Sequence, residues 1–260
     1  KLVVLAASTP QNVRLLLASA NSRWPKGLAN SNGLVGHGFT CHVIPSAYGI
    51  FDEPLDNFLG VSAGQLISQE SYGKRSRGAD APFGSYQWGI GPALKPNDLL
   101  GIANTRVDLY GAKLVEFLER DGPRLGTLSA VCESLPSPGR RIELAEERDA
   151  YGVPLARIVN TLDRDAIGLY EHASREGVAV LKAAGAKATW NGILATSHAL
   201  GGTVMGDDPA TSVCDSYGRT HEIDNLVVAG GSLFPTAGGG SPTFTIYAIA
   251  DRSAAHLLAA

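Results

Sequence analysis

The sequence predicts an α/β fold, α+β overall, in which an α/β domain is interrupted by an inserted antiparallel sheet. Three observations predict it. A short continuous apolar run, Leu2–Ala7, ends at Ser8-Thr9-Pro10 and passes into a helical pattern. A second such run, "NLVVAGGS" (225–232), ends in a Gly-Gly turn near the other end of the chain. Between them, short alternating segments are punctuated by Pro-Gly, Asn-Asp and Asp-Gly, the pattern of antiparallel strands and turns. The organisation expected is residues 1–42 and 191–260 in the α/β domain, with 43–190 inserted as a separate one.

Taken in order, Leu2–Ala7 has the continuous apolarity of a strand buried on both faces. Val13–Ala20, "VRLLLASA", follows as a short helix, and a strand–turn–helix element needs partner strands. Residues 21–42 are loop-like, with "NSNG" and two closely spaced histidines, His37 and His42. "ESLPSPGRRIELAEERDAYGVPLARIV" (133–159) looks like strands around a charged turn. In 164–186, Ala166, Leu169, Tyr170, Ala173, Val178, Val180 and Leu181 suit one long amphipathic helix, of which Gly177 is the weak point. The run from Pro242 to Leu258 is apolar on nearly all sides, as expected of a helix packed inside something larger. The chain begins within a core strand, which is the pattern of a segment from a longer polypeptide or of one subunit of a split protein.

Composition narrows the class. The 260 residues are 44% hydrophobic and 18% charged, an ordinary globular balance, and 31 glycines suit close backbone approach and sharp turns. A net charge of −3 gives no basic field for nucleic acid or an anionic membrane surface. No apolar stretch is long enough to be a membrane span. Cys41, Cys132 and Cys214 share no metal-binding spacing; one disulfide is compatible with them, and the odd count leaves the compartment open.

Three places could carry chemistry. His198 in "TSHALGGTVMGDD" (196–208) stands among small residues. A histidine titrates near neutrality and can accept a hydroxyl proton, although the position equally fits a loop histidine held by a carbonyl. The strand ending at Gly230-Gly231-Ser232 frees amides that can bind a phosphate or ribityl group, or simply makes a tight turn. Finally, Ser241-Pro242-Thr243 opens a helix, with Ser241 expected as N-cap and Pro242 at the first helical position. That terminus would aim free amides and the positive end of the helix dipole at one point. His221, His172 and His256 suit structural roles, and His37 with His42 lacks a third ligand at metal spacing, so no metal site is expected.

Together these residues resemble the C-terminal half of the glucose–methanol–choline (GMC) FAD-dependent oxidoreductases, closest to bacterial sugar and sugar-acid dehydrogenases. "HALGGTVMGDDPATSVCDSYGRTHEIDNLVVAGGSLFPTAGGGSPTFTIYAIADRSAAHLL" follows that family's closing signature nearly throughout. "LVVLAASTPQNVRLLLAS" and "GLANSNGLVGHGFTCH" resemble its middle FAD-domain segment, and "ESLPSPGRRIEL" with "DAYGVPLARI" its substrate domain.

The resemblance implies FAD as cofactor and oxidation of an alcohol on a sugar, glycoside or polyol by hydride transfer to the flavin. His198 matches the family's catalytic histidine. Ser241 stands where the family usually has Asn or a second His that binds the substrate hydroxyl. Ala6, Ala7, Ser8, Gly230, Gly231 and Ser232 match segments lining FAD, and the amides after Pro242, from Thr243 on, would face the flavin pyrimidine edge. On this resemblance 1–42 and 191–260 belong to the FAD-binding domain and 43–190 is the substrate domain. The family's strand–GxGxxG–helix for the ADP part of FAD has no counterpart in this sequence. An N-terminal FAD-binding half, in the same polypeptide or a separate chain, is therefore the expected partner. A flavin-containing lyase on the same fold and a non-catalytic subunit of a split flavoenzyme are the other readings. The sugar, the electron acceptor and the compartment are left open.

Overall fold

In the computed structural model, residues 1–60, 66–73, 83–91 and 94–259 are described. Along the chain run β1 (Val3–Leu5), α1 (Thr9–Ala18), β2 (Thr40–Val43), β3 (Ser46–Ile50), β4 (Leu66–Ser68) and β5 (Tyr86–Ile90). Then come α2 (Pro96–Ala103), α3 (Ala112–Glu116), β6 (Leu125–Cys132), β7 (Arg140–Arg148) and β8 (Pro154–Asn160). The chain closes with α4 (Arg164–Ala183), β9 (Ala188–Asn191), β10 (Thr196–Leu200), β11 (Leu226–Val228) and α5 (Thr243–Ala259). Two compact units result: Lys1–His42, Ser134–Asp163 and Ser197–Ala260 form one, Val43–Glu133 and Arg164–Thr196 the other.

The first unit takes residues that the sequence reading placed in the inserted region. Ser134–Asp163 joins it because the β7–β8 hairpin packs on α1, with Ile142 buried in the same core as Val13 and Leu16. Arg14 of α1 grips the hairpin tip: its Nε donates to the Pro154 carbonyl at 2.5 Å and its NH2 pairs with Asp149 at 2.6 Å. The Arg14 guanidinium, with the Val153 amide, holds the Asp149 carboxyl below its ordinary range. Arg140, fully buried, donates to the Thr161 and Leu135 carbonyls and to the Thr40 and Ser134 hydroxyls, tying β7 to β2.

Two apolar elements of this unit differ from expectation. Among the described residues β1 pairs in parallel with β11 only, and Val3 and Val4 are about half exposed (51% and 48%). β11, by contrast, is buried along its length. α5 is apolar all round, yet only Ser253 is buried, and Phe244 stands 88% exposed. Its C-terminal half is held by Tyr217, which stacks on His256 with ring centroids 3.8 Å apart and lies under Arg252. All three cysteines are free and buried; Cys41 accepts from Asn160 Nδ2 at 3.3 Å rather than bridging to another cysteine.

In the second unit, β6 is central: it pairs antiparallel with β5 on one side and β3 on the other, β5 with β4, and β3 with β9. The long helix expected over 164–186 is α4, which packs on β3, β6 and β9. Gly177 does not break it. A Cβ there would stand 2.9 Å from both the Ala47 Cβ and the Trp88 ring, so the missing side chain lets the helix approach the sheet. Tyr86 is fully buried and donates its hydroxyl to Glu176 of α4. Among the described residues no helix is long and apolar enough to cross a membrane.

Candidate active site

The site is built in the first unit around β10. Most of this strand is extended, but His198 has φ +58°, the left-handed region that non-glycine residues rarely occupy. Such a conformation costs about 1–3 kcal/mol and persists where the surroundings over-determine it. Those surroundings are close backbone contacts. Gly201, at φ +77°, lies so near Gly38 that a Cβ would stand 2.0 Å from its carbonyl oxygen. Past that point the chain pairs with 231–233: the Gly201 amide donates to the Gly231 carbonyl, Thr203 to Ser232, and Met205 to Leu233. His198 is thus followed by a segment that can occupy only one path.

Its neighbour is His42 of β2, the strand beside β10. The two Nδ1 atoms are 3.1 Å apart, and the rings meet edge to face at 82° with centroids 5.0 Å apart. His42 is fully buried, and its Nε2 lies 2.6 Å from the Gly238 carbonyl oxygen. Burial pushes the His42 imidazole down to about 4, against the raising effect of the Gly238 carbonyl, and His198 lowers it further. Burial lowers His198 as well. Both rings are therefore neutral near pH 7. His198 Nε2 makes no hydrogen bond among the described residues, and a neutral imidazole with a free ring nitrogen can take a proton.

The two turns expected to line the cofactor come together through Asn12, a fully buried residue of α1. Its Oδ1 accepts from the Ala7 amide at 3.0 Å, while its Nδ2 donates to the Ala229 carbonyl and the Ser232 hydroxyl. Ala6, Ala7 and Ser8 are exposed, Gly230 and Gly231 half-buried and Ser232 buried. Ser8 precedes α1 as its N-cap, and Thr9 Oγ1 reaches across to the Ala199 carbonyl at 2.8 Å, one residue from His198. Small side chains and main chain thus border the N-terminus of α1, whose positive dipole end would suit an anionic group such as the phosphate of a flavin nucleotide.

At the other terminus the expected cap is displaced. The Pro242 carbonyl accepts the first helical bond, from Ile246, and α5 starts at Thr243. Pro242 is thus the buried N-cap and Ser241 the exposed residue before it. The residue whose carbonyl closes the first turn defines the cap, and that is set by backbone path rather than residue type. The amides of Thr243, Phe244 and Thr245 have no acceptor within the helix, so this end suits an electron-rich ring edge. Ser241 makes no hydrogen bond to His198. It follows the glycine turn whose Gly238 carbonyl holds His42.

Asn12 was not singled out from the sequence, and His42 was noted only as one of two closely spaced histidines, not as the neighbour of His198. A histidine in the apolar strand pattern "FTCHV", and an asparagine in the first turns of a helix, where it is a poor former, were the available signals. His221 is structural, bonded to Ser212 Oγ and the Gly206 carbonyl. Among the described residues no three His, Cys, Asp or Glu side chains cluster to hold a metal ion.

The chain is similar to known proteins along nearly its whole length. Residues 137–250 match the family model described as GMC oxidoreductase. The chain is 30% identical to the fructose dehydrogenase large subunit of Gluconobacter japonicus over 99% of this chain and 47% of that protein. It is 32% identical to paromamine 6'-oxidase of Streptomyces fradiae, over 96% of this chain and 44% of that one. With 2-methyl-1,2-propanediol dehydrogenase of Mycolicibacterium austroafricanum it shares 29%, over 99% and 48%. The chain thus spans about half the length of the curated relatives it matches. Pyridoxine 4-oxidase from Mesorbium loti superposes with a TM-score of 0.64 at 15% identity, over 98% of this chain and 51% of that one. A formate oxidase of Aspergillus oryzae gives 0.63 at 14%, over 98% and 53%. At these identities the two structures show a shared fold.

Proposed function

The chain belongs to the GMC oxidoreductases, and from that premise we propose that it carries the catalytic half of an FAD-dependent enzyme oxidising an alcohol group of a sugar, glycoside or polyol. The observation that carries the proposal is His198, held in a left-handed conformation with Nδ1 engaged by His42 and Nε2 free. Nε2 takes the hydroxyl proton as the carbon's hydrogen leaves with its electron pair. Proton removal raises electron density on that carbon and so lowers the barrier to the hydride's departure, while fixed geometry avoids the entropy of assembling base and substrate. FAD, when bound, supplies the hydride acceptor.

In this reading Ala6–Ser8 and Gly230–Ser232, two turns joined by Asn12, would border the ribityl-phosphate arm of the cofactor. The amides following Pro242, from Thr243 on, face the ring edge that gains negative charge. Ser241 supplies a short hydroxyl beside the substrate, a weaker partner than an amide would be. The ADP part falls to a nucleotide-binding segment, in the same polypeptide or a second chain. The two compact units correspond to the FAD-binding and substrate-binding portions.

The test is anaerobic reduction in the flavin-loaded enzyme. His198→Gln is expected to slow flavin bleaching by substrate by about 10²–10⁴-fold while flavin content is kept. Bleaching at the unaltered rate in that variant would remove His198 as base. No bleaching of the unaltered enzyme by any sugar or polyol would sink the oxidoreductase reading in favour of a flavin-containing lyase.

A further inference from the structure

We propose that His42 is a positioning residue that locks His198 in the Nδ1–H tautomer, leaving its Nε2 unprotonated; this rests on the reading of His198 as base. The argument is one of donors and acceptors. The Gly238 carbonyl oxygen can only accept, so at 2.6 Å the proton between it and His42 sits on His42 Nε2. His42 is fully buried and, apart from His198, meets a carbonyl dipole rather than a carboxylate, so its ring stays neutral. A neutral imidazole protonated at Nε2 carries a lone pair at Nδ1. That lone pair faces His198 Nδ1 at 3.1 Å, and two lone pairs cannot make a hydrogen bond. The proton must therefore be on His198 Nδ1, which leaves Nε2 as the basic nitrogen.

The same contacts fix where that nitrogen points. The edge-to-face packing at 82° sets the plane of the His198 ring relative to His42, and the left-handed backbone sets where the side chain leaves the strand. When Nε2 takes the substrate's proton, His198 becomes an imidazolium whose Nδ1–H still donates to His42, so the charge forms against an acceptor already in place. The relay ends at Gly238, in the turn that leads to Ser241 and the start of α5. Base, neighbouring hydroxyl and helix terminus are thereby held by one chain of contacts.

The test begins with the unaltered flavin-loaded enzyme, 15N-labelled at histidine. Two-bond proton–nitrogen spectra are expected to show His198 protonated at Nδ1 and His42 at Nε2. His198 protonated at Nε2 would overturn the proposal, and this measurement needs no variant to fold. Two substitutions then separate the two ends of His42. His42→Gln can still donate toward Gly238 but offers His198 no acceptor at the Nδ1 position. It is expected to lower kcat for flavin reduction about 10²-fold, with KM within about threefold, and to shift His198 toward the Nε2–H form. His42→Asn places an amide oxygen near the lost Nδ1 and is expected to recover all but about tenfold of the rate. Full kcat with an unchanged His198 tautomer in His42→Gln would refute the role of His42 while leaving His198 as base. Conversely, full bleaching in His198→Gln with the expected tautomers in the spectrum would remove the base and leave the lock.

Discussion

Asn12 is the residue on which the two turns proposed to line the cofactor depend. One fully buried amide side chain satisfies the Ala7 amide, the Ala229 carbonyl and the Ser232 hydroxyl, the last of these bonds lying out of reach of water. Removing a partner from a buried polar group leaves that group's desolvation uncompensated, about 1–3 kcal/mol each. Asn12→Ala is therefore expected to lower unfolding free energy by about 2–4 kcal/mol and to weaken flavin retention, read by denaturant melts and by the flavin lost on dialysis. A variant as stable as the parent would mean that the turns close without it. His198 stands out in the sequence as a histidine among small residues, but its left-handed backbone does not. The chain just after it packs against Gly38 and pairs with the 231–233 segment, both remote in sequence.

At the scale of elements, propensity and packing compete openly in α4. Alanine in place of Gly177 would gain about 1 kcal/mol of helix propensity. Its Cβ would also press on Ala47 and Trp88 at 2.9 Å, and overpacking costs about 1–3 kcal/mol. The clash is with side chains held in the sheet, so Gly177→Ala is expected to lower the melting temperature by a few degrees; a rise would mean that helix and sheet can part. The long amphipathic pattern was enough to identify this helix. β1 and α5 have core-like sequences, and Val3, Val4 and Phe244 are exposed in this chain, which spans about half the length of its relatives. Apolarity states what a segment tolerates around it, whereas cover is supplied by another element. The cap of α5 shows the same limit on a smaller scale, since Ser-Pro fits two adjacent registers and the backbone path chose Pro242.

For the whole molecule, the buried His42, with His198 beside it, ties stability to pH. His42 sits at about 4 when folded and near 6.5 when exposed, so between those values the unfolded chain binds a proton that the folded one excludes. Its contribution is complete above pH 6.5 and is lost as pH falls toward 4, in total on the order of 3 kcal/mol. His198, also lowered, acts in the same direction. Melting temperature is expected to fall between pH 7 and 5, and less steeply in His42→Gln; parallel slopes would mean that His42 does not titrate on unfolding. Local periodicity was enough to identify the strand–helix elements near the two ends of the chain and the long helix α4, because it is written into neighbouring residues, but not α2 and α3, which lie in a stretch that reads as alternating strands. The packing of Ser134–Asp163 with the chain ends, the joining of the turns by Asn12 and the meeting of His42 with His198 appear only in the folded chain. His42 and His198 are 156 residues apart, and no local pattern records which strand lies beside which.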